Sequence, residues 1–396
     1  MKTLSSSTRA GLRSRTRLVQ AGREPFEQHG FVNTPIYRGS TVLFENVERL
    51  SRYDSRFNYG TKGTPTTEAL ERAWTEIAGA AGTVLTPSGL AAVTVAFLSV
   101  VKAGSHILVT DAAYQPIRKF CNGVLTRMGV ETTYYDPALG SGIVDLLRPN
   151  TAMLFVEAPG SQSLDMQDVP AIVAAAHARD VPVVMDNTWA TSLMFPAHRH
   201  GVDIVIEAGT KYLSGHSDLL LGLTTANERY WPALRETFDA FAMCAGPEDV
   251  FLGLRGLRTM DLRLREAERQ GLAMATWLQA RPEVARVLHP ALPDFPGHAI
   301  WRRDFSGSSG LFSVILKPAS PKAVAAMLDG LELFGMGYSW GGYESLVVPF
   351  DCSSYRTATT WAPGGPALRF SIGLENVEDL QEDLDRGFAR LRQMSL

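Results

Sequence analysis

The sequence predicts an α/β protein with a large domain built on a doubly wound, mainly parallel sheet and a smaller α+β domain at the C-terminal end. Three observations support this prediction. Helical and extended patterns alternate from about residue 66. The extended segments are nearly continuous apolar runs, which suit strands that are covered on both faces. This alternation stops near residue 249, where a long helical pattern begins.

In the large domain, residues 66–78 predict an amphipathic helix because apolar residues recur at helical spacing. Residues 89–101 predict a buried helix that ends before Gly104. The other predicted elements follow in chain order: strand 106–111, helix 117–128, strands 131–135 and 152–157, helix 169–179, and strands 183–186 and 203–207.

In the small domain, residues 252–280 predict one long helix. Three strands and two helices follow, namely strand 310–316, helix 321–331, strands 346–348 and 368–372, and helix 377–391. We therefore divide the chain into an N-terminal arm (1–59) that contacts a neighbouring subunit, a large domain (60–250) and a small domain (251–396).

Charge and cysteine content narrow the possible partners. The formal net charge of -3 and the even mixture of acids and bases give no field that would collect polyanions, so we expect neither nucleic acid nor membrane partners. Cys121, Cys244 and Cys352 lack the spacing of a zinc cluster or a redox dithiol, and we expect no metal. A reducing, cytoplasmic location fits best.

The first residues carry basic side chains and no acid before Glu24, a composition that organelle transit peptides share. We interpret this stretch instead as a basic arm that packs on a neighbouring subunit or stays disordered. Its basic residues are Lys2, Arg9, Arg13, Arg15 and Arg17.

Two polar residues follow predicted buried strands, at the sheet edge where ligands of open α/β proteins bind. Asp186 ends the run VPVVMD, and Lys211 comes just after DIVIEAGT. A carboxylate at this position can keep a pyridine nitrogen protonated, and an amine in the same cleft can form a Schiff base and move protons. Alternatively, Asp186 caps a turn and Lys211 is a surface charge.

The segment before the helix predicted at 89–101 favours an anion site. Ser88, Gly89 and Leu90 put free backbone N–H groups and the positive end of the helix dipole at one point. A cofactor phosphate would fit there, and Thr210 can add a hydroxyl to it. The simpler interpretation is that Ser88 only caps the helix.

Two further residues suit a cleft that holds an aromatic cofactor and an acidic substrate. Tyr114, after the strand HILVTD, can stack on an aromatic ring. Arg369 lies in the apolar run LRFSI, where an unpaired charge is costly, so that a substrate carboxylate or an internal ion pair is expected beside it.

These residues resemble the cysteine/methionine-metabolism family of pyridoxal-phosphate (PLP) enzymes, the trans-sulfuration enzymes, and most of all its bacterial cystathionine β-lyases. The similarity runs from about Thr16 to Ala389. Seven short motifs carry it, in this order: 59–60 with 63–64 (YG and GT), 86–89 (TPSG), 156–161 (VEAPGS), 186–190 (DNTWA), 208–212 with 215–218 (AGTKY and GHSD), 255–259 (RGLRT) and 338–342 (YSWGG).

The resemblance implies the fold type I of PLP-dependent transferases, a small amino-acid substrate, and a homotetramer built as a dimer of dimers. It implies that Lys211 forms the Schiff base with PLP and that Asp186 meets the ring nitrogen. The remaining roles are phosphate binding by Ser88, Gly89, Leu90 and Thr210, ring stacking by Tyr114, α-carboxylate binding by Ser339, Trp340 and Arg369, and entry of Tyr59 from an adjacent subunit. We assign the catalytic side chains to Lys211, Tyr114 and Tyr59.

One departure lies near the cofactor phosphate. The family usually has an arginine two residues after Tyr59, whereas this chain has Thr61, followed by Lys62. A lysine can supply a point charge but not the planar fork of an arginine. The chain also differs from the family pattern at Glu207, Ser214 and residues 162–164. Together these differences affect the expected identity of the substrate more than that of the cofactor.

The expected reaction is a carbon–sulfur β-elimination of the cystathionine β-lyase type, giving pyruvate and ammonia after Lys211 takes the Cα proton. The alternative is a divergent γ-eliminase that acts on a halogenated or sulfur-bearing amino acid and gives an unsaturated product. The same groups can serve both reactions, so that the sequence leaves them open.

Other classes of protein fit less well. The segment 337–341 (GYSWG) matches the Gly-x-Ser-x-Gly elbow of serine hydrolases, but no histidine follows it as that fold requires. His198 and His200 could suggest zinc, yet both lie in a polar loop, and a solvated pair is the simpler interpretation. A paralogue that keeps the fold without activity is also possible from sequence.

Overall fold

The computed structural model describes Thr8 and residues 11–394. Lys2 and Arg9 of the predicted basic arm lie outside the described residues. The described residues form eleven strands: β1 Gly82–Thr86, β2 His106–Thr110, β3 Glu131–Tyr135, β4 Thr151–Glu157, β5 Val183–Asp186, β6 Ile204–Ala208, β7 Gly222–Ala226, β8 Val284–Leu288, β9 Leu311–Leu316, β10 Leu346–Phe350 and β11 Ala367–Ser371.

The α-helices of the described residues are α1 Ser14–Gln20, α2 Val47–Arg52, α3 Pro65–Ala78, α4 Gly89–Leu98, α5 Gln115–Phe120, α6 Val169–His177, α7 Thr191–Met194, α8 Trp231–Phe241, α9 Pro247–Leu257, α10 Met260–Gln279, α11 His298–Asp304, α12 Pro321–Asp329 and α13 Val377–Gln393. Short 3₁₀ segments occupy Pro25–Gln28, Gly60–Lys62, Pro137–Leu146 and Ala197–His200, and a π-turn, Cys121–Leu125, follows α5.

The first seven strands form one sheet in the order β1-β7-β6-β5-β4-β2-β3. Strands β2 to β6 run parallel, and β7 pairs antiparallel with both β1 and β6. The second sheet is antiparallel, in the order β10-β11-β9-β8. A mainly parallel sheet followed by a smaller α+β unit confirms the predicted fold class.

Helices cover both faces of the large sheet, and β2 illustrates the consequence. Ile107 and Val109 pack in the hydrophobic cluster on one face, and Leu108 packs in the cluster on the other. Because successive side chains of a strand point to opposite faces, a strand buried on both sides needs apolar residues at every position. This is why the strands could be recognised as continuous apolar runs.

Strands β1, β7 and β8 were not predicted. Glycine and threonine occupy several positions of β1 (GTVLT) and β7 (GLTTA), so that neither has the long apolar run of its neighbours. Their pairing to each other is antiparallel and joins segments far apart in the chain. Tertiary pairing therefore overrides weak local preference here.

The predicted helix 252–280 is wrong in one respect, because it is two helices, α9 and α10, that meet at Arg258 and Thr259. A Cβ atom on Gly256 would lie 2.4 Å from the carbonyl oxygen of Leu213, so the end of α9 presses against the turn after Lys211. This long-range contact accounts for the interruption of the helix between α9 and α10. The boundary predicted at residue 251 falls inside α9, which packs on α3.

Within the described residues, no helix combines the length and the apolar character that crossing a membrane requires.

Candidate active site

Lys211 lies in the turn that follows β6, with its side chain half-buried. Its Nζ donates a hydrogen bond to Ser339 Oγ (2.8 Å) and lies 5.3 Å from the centroid of the Trp340 ring. Burial lowers the pKa of Lys211 to about 8, and the charge of Arg369 acts in the same direction, whereas Asp186 opposes the shift. Such an amine is partly uncharged near neutral pH and can act as a nucleophile or a base.

Asp186 is the last residue of β5 and faces the same cleft. Its Oδ1 accepts hydrogen bonds from the hydroxyl (2.6 Å) and the N–H (2.9 Å) of Thr188. Burial raises the pKa of Asp186, although both bonds from Thr188 and the charge of Lys211 act against this shift. A cationic partner at this carboxylate would offset the cost of its burial.

The N-terminus of α4 lies where the sequence predicts an anion site. Ser88 caps the helix by accepting a hydrogen bond from the N–H of Ala91 (3.1 Å). The N–H groups of Gly89 and Leu90 lie in the first turn, which has no intrahelical acceptors. A Cβ atom on Gly89 would lie 2.8 Å from the Cβ atom of Ala208, so the helix can start this close to the Lys211 turn only with glycine.

Thr210 lies beside Lys211, but its hydroxyl is already engaged. Oγ1 accepts a hydrogen bond from the N–H of Leu221 (3.0 Å) and donates one to the carbonyl of the same residue (3.2 Å). In this rotamer Thr210 closes the turn that carries Lys211. The family resemblance implies that this hydroxyl contacts the cofactor phosphate. To do so, Thr210 would have to replace its hydrogen bond to the Leu221 carbonyl with one to the phosphate.

Tyr114 immediately precedes α5 and is 47% exposed. Its backbone N–H donates to Glu157 Oε2 (2.8 Å). Partial burial raises the pKa of the Tyr114 hydroxyl; the charges of Glu157 and Asp186 act in the same direction, and Arg369 opposes them. The ring therefore borders the groups of the cleft, as a residue that stacks on a cofactor must.

Arg369 lies in β11 and is 7% exposed. One guanidinium N–H donates to the carbonyl oxygen of Ser339 (3.1 Å). No carboxylate of the described residues lies within ion-pairing distance of it, and burial lowers the pKa of Arg369. The internal ion pair that was the alternative interpretation is thus not formed within the described chain, and a buried cation is left to meet an anion.

Ser339 and Trp340 join the small domain to the Lys211 turn. Ser339 has a φ of 124°, which is strained for a residue with a side chain. Its Oγ accepts from Lys211, and its carbonyl oxygen accepts from Arg369. The Trp340 ring packs against the ring of Tyr212, with centroids 5.4 Å apart. These contacts hold the strained residue in one conformation.

Tyr59 and Thr61 lie apart from these residues. Tyr59 is 47% exposed and bridges to Thr41, and Thr61 belongs to the 3₁₀ turn that follows. The Nζ of Lys62 lies 3.4 Å from Asp239 of the same chain. Across Thr8 and 11–394, no hydrogen bond or ring contact joins Tyr59 or Thr61 to the Lys211 cleft, so any role there requires a second subunit.

Glu157 is a site residue whose role the sequence analysis did not assign, although it occurs in one of the seven motifs. It ends β4 as Asp186 ends β5, and the two residues are Cα partners in the sheet. An acid that ends an apolar strand was the signal that identified Asp186. The same signal is present in the run AMLFVE and could have identified Glu157.

The histidines considered for zinc serve structural roles. The ring nitrogens of His198 bond to the Val202 carbonyl oxygen and to Thr225 Oγ1, and His200 stacks on Phe195. Among the residues that the structure describes, no group of three potential ligands lies together. Ser339 of the hydrolase-like motif is bonded to a lysine and not to a histidine.

Two concavities of the surface lie elsewhere, one of about 250 Å³ between the N-terminal segment and α3, and one of about 610 Å³ between α3 and α8. Neither is lined by a residue predicted for the site. The shape of the surface alone therefore does not identify the candidate active site, which is identified by the cluster of side chains at the strand ends.

Residues 15–389 match the model of the family described as Cys/Met metabolism PLP-dependent enzyme. A protein of Rhizobium johnstonii provisionally named cystathionine beta-lyase is 50% identical over 378 residues, covering 94% of this chain and 95% of that protein. Cystathionine beta-lyase MetC of Escherichia coli is 43% identical over 387 residues, covering 95% and 98%. The L-alanine/L-glutamate racemase of Wolbachia pipientis is 37% identical over 390 residues, covering 94% and 96%.

Solved structures agree with this result. The cystathionine gamma synthase of Xanthomonas oryzae, determined in complex with aminoacrylate and cysteine, superposes with a TM-score of 0.89 at 30% identity. The alignment covers 97% of this chain and 99% of that structure.

Proposed function

The chain belongs to the Cys/Met metabolism family of PLP-dependent enzymes, and from that premise we propose that it is a cystathionine β-lyase. The reaction cleaves the bond between Cβ and sulfur and yields a thiol, pyruvate and ammonia. The observation that carries the proposal is the gathering of one lysine amine, one strand-end carboxylate and one unpaired guanidinium in a single cleft, formed by Lys211, Asp186 and Arg369.

The cleft fits PLP on three counts. Among the described residues no cation is in direct contact with the partly buried Asp186 carboxyl, and a protonated pyridine nitrogen would supply one. Gly89 and Leu90 offer N–H groups at a helix N-terminus, where a phosphate is favoured. Lys211 has the lowered pKa that a nucleophilic amine needs. When bound, PLP supplies an electron-withdrawing ring that takes up negative charge from the substrate's Cα.

Arg369 would bind the α-carboxylate of the amino acid. Its guanidinium is buried and donates a hydrogen bond to a neutral carbonyl, that of Ser339. Pairing with a carboxylate relieves the cost of burying this charge and orients the substrate through two parallel hydrogen bonds. Trp340 would close one side of the same subsite.

Lys211 would take the proton from Cα. A pKa of about 8 leaves a useful fraction of the amine uncharged at neutral pH while keeping it basic enough to accept a proton. The hydrogen bond to Ser339 Oγ fixes the direction of the amine. Departure of sulfur from Cβ then follows from the charge released at Cα.

The test is to purify the protein with PLP and to supply cystathionine, cystine and γ-chlorinated or γ-sulfur amino acids in parallel. We expect a yellow protein that releases pyruvate fastest from cystathionine, and a Lys211→Ala variant that loses both the absorption band and turnover. An unsaturated amino acid formed from the γ-substituted substrates, with little pyruvate from cystathionine, would contradict the proposal in favour of γ-elimination.

We also propose a cytoplasmic homotetramer, built as a dimer of dimers, in which Tyr59 enters the cleft of an adjacent subunit. Large apolar side chains are exposed in the segment that precedes α3, and a second copy of the chain would cover them. They are Phe26, Phe31, Val32, Leu43, Val47, Leu50 and Tyr53, each at least 53% exposed.

Subunit complementation tests this arrangement. Inactive Tyr59→Ala and Lys211→Ala subunits, mixed under conditions that allow exchange, should regain about a quarter of the activity if each cleft draws Tyr59 from a partner. No recovery, together with a monomer by light scattering, would contradict it.

A further inference from the structure

Two acids end neighbouring strands on the same face of the sheet. Glu157 and Asp186 are Cα partners in the parallel pairing of β4 with β5, so their side chains leave the sheet on the same side. Glu207 is the last residue but one of β6 and lies one residue beyond Ile206, the partner of Asp186. Its side chain therefore points to the opposite face, where it accepts hydrogen bonds from Ser192.

The contacts of Glu157 connect it to the cofactor-facing residues. Its Oε2 accepts the backbone N–H of Tyr114 (2.8 Å), and its own carbonyl oxygen accepts from Gln167 Nε2 (2.7 Å). No ion pair links it to a lysine, arginine or histidine in the part of the chain that the structure describes. It is thus a carboxyl group held in place without a counter-ion.

The groups that face Glu157 are all acidic or neutral. Asp186 faces it from β5, Tyr114 from the start of α5, and Tyr355 from the segment between β10 and β11. Burial raises the pKa of Glu157 well above its ordinary value, and the charge of Asp186 adds to this shift. A negative charge on Glu157, next to that of Asp186, would have no counter-ion among the described residues, so the neutral form of Glu157 is favoured.

We propose that Glu157 is a positioning residue of the cofactor site: as an uncharged acid it holds the backbone of Tyr114 in place and leaves Asp186 as the one negative charge beside the cofactor ring. The inference rests on the PLP site of the proposed function. It does not depend on which substrate the enzyme cleaves, because Glu157 acts through Tyr114 and Asp186.

Two substitutions separate the two parts of the proposal. Glu157→Gln keeps the size of the side chain and an oxygen acceptor for Tyr114 but cannot ionise. Glu157→Met keeps the length and removes the acceptor. Glu207→Gln is the matched control for cofactor binding, since it replaces a buried acid, whose pKa burial also raises, on the opposite face of the same sheet.

Cofactor binding is the first measurement, made by titrating PLP into cofactor-free protein and following tryptophan fluorescence. We expect Glu157→Gln and Glu207→Gln to stay within about 3-fold of the wild-type dissociation constant. Glu157→Met should weaken binding about 10-fold or more and shift the absorption maximum of the bound cofactor, because loss of the hydrogen bond from the Tyr114 N–H frees the loop of Tyr114.

The pH dependence of the thermal midpoint of the cofactor-free protein is the second measurement. A carboxyl whose pKa is raised on folding binds more protons in the folded state than in the unfolded state. Its contribution to stability is therefore lost as the pH rises from the pKa of the unfolded state through the pKa of the folded state. The midpoint of Glu157→Gln should therefore exceed that of the wild type by a margin that grows from pH 5 to pH 8.

Three results would overturn the inference and leave the proposed function standing. Glu157→Gln as damaging to cofactor binding as Glu157→Met would mean that the ionised form is needed. Unchanged binding by Glu157→Met would mean that the residue positions nothing. A margin independent of pH would mean that the acid is already charged. Wild-type protein that fails to bind PLP would overturn both this inference and the proposed function, whereas binding without pyruvate release would overturn the latter alone.

Discussion

Burial acts on the two ionisable groups of the cleft in opposite ways. It lowers the pKa of the Lys211 ammonium and raises that of the Asp186 carboxyl, because it disfavours the charged form of each. Their mutual attraction opposes both shifts and is outweighed. The site therefore suits a cationic ring beside Asp186 and an uncharged amine at Lys211. A direct ion pair between Asp186 and Lys211 would prevent both.

The titration of Lys211 provides a prediction in the cofactor-free protein. Its reaction with an acylating reagent should increase with pH and level off above about pH 8, since only the uncharged amine reacts. Arg369→Met removes a positive charge that lowers this pKa, so the midpoint should move to higher pH.

Mass spectrometry of the modified peptides measures this reaction, and the exposed Lys322 in the same digest reports the response of the reagent itself. An unchanged midpoint in Arg369→Met would show that Arg369 does not act on Lys211, contrary to the geometry described.

At the scale of elements, the start of α4 and the end of β6 together form the phosphate site that we propose. The close approach of Gly89 to Ala208 brings the free N–H groups of the helix next to the Lys211 turn. The end of α9 presses on the other side of that turn through Gly256, and Arg263 donates to the carbonyl oxygens of Tyr212 and Leu213. Helices α4, α9 and α10 thus all pack against the Lys211 turn, and these contacts fix the position of the lysine.

The contact between Gly89 and Ala208 predicts a compensating pair of substitutions. Gly89→Ala places a methyl group 2.8 Å from that of Ala208, so α4 must shift, and PLP binding should weaken about 10-fold. Adding Ala208→Gly removes the second methyl group and should restore most of the affinity. Weak binding that persists in the double variant, measured by the same PLP titration, would indicate that the helix start matters through something other than this contact.

Thr61 predicts a gain of function in the 3₁₀ turn. An arginine at this position should add a charge-assisted hydrogen bond to the cofactor phosphate and tighten PLP binding about 10-fold, provided that the turn enters the cleft of a partner subunit. Thr61→Gln, of similar length and uncharged, is the control. Equal dissociation constants for Thr61→Arg and the wild type would mean that other groups already hold the phosphate fully.

At the scale of the whole molecule, one buried acid ties the two domains together. Asp111, just after β2, pairs with Arg118 (2.9 Å) and accepts the N–H groups of Thr357 (3.0 Å) and Thr359 (2.8 Å) from the segment between β10 and β11. Arg118 also donates to the carbonyl of Tyr355 and lies over the ring of Tyr134. The small domain therefore has a fixed position over the strand ends, next to Tyr114.

Breaking this connection should affect stability and the site together. Asp111→Ala leaves Arg118 buried without its partner and should cost about 3 kcal/mol or more, with a lower thermal midpoint and weaker PLP binding. Glu266→Ala removes one partner of an exposed pair with Arg269 within α10 and should leave both quantities unchanged. Similar results for the two variants would contradict the role assigned to Asp111.

Some of the site follows from local sequence because local physics produces it. Asp186 and Lys211 come directly after apolar strands, and parallel strands align their carboxyl ends at one edge. Ser88 and Gly89 precede a buried helix, and a helix N-terminus attracts anions wherever it lies. Boundaries were less predictable: α4 ends at Leu98, where the Ser99 hydroxyl bonds to the Ala96 carbonyl and competes with a further helical turn.

The sequence by itself determined the α/β class, the family and the residues at the strand ends, because strand periodicity, helix capping and short motifs are properties of neighbouring residues. Only the tertiary structure decided that Lys211 meets Ser339, 128 positions away, and that Glu157 lies beside Asp186 without a counter-ion. Such pairings depend on which strands become neighbours and on how the small domain packs over them. Burial then sets the charges, because the cost of ionising a group is a property of its surroundings and not of its own place in the chain.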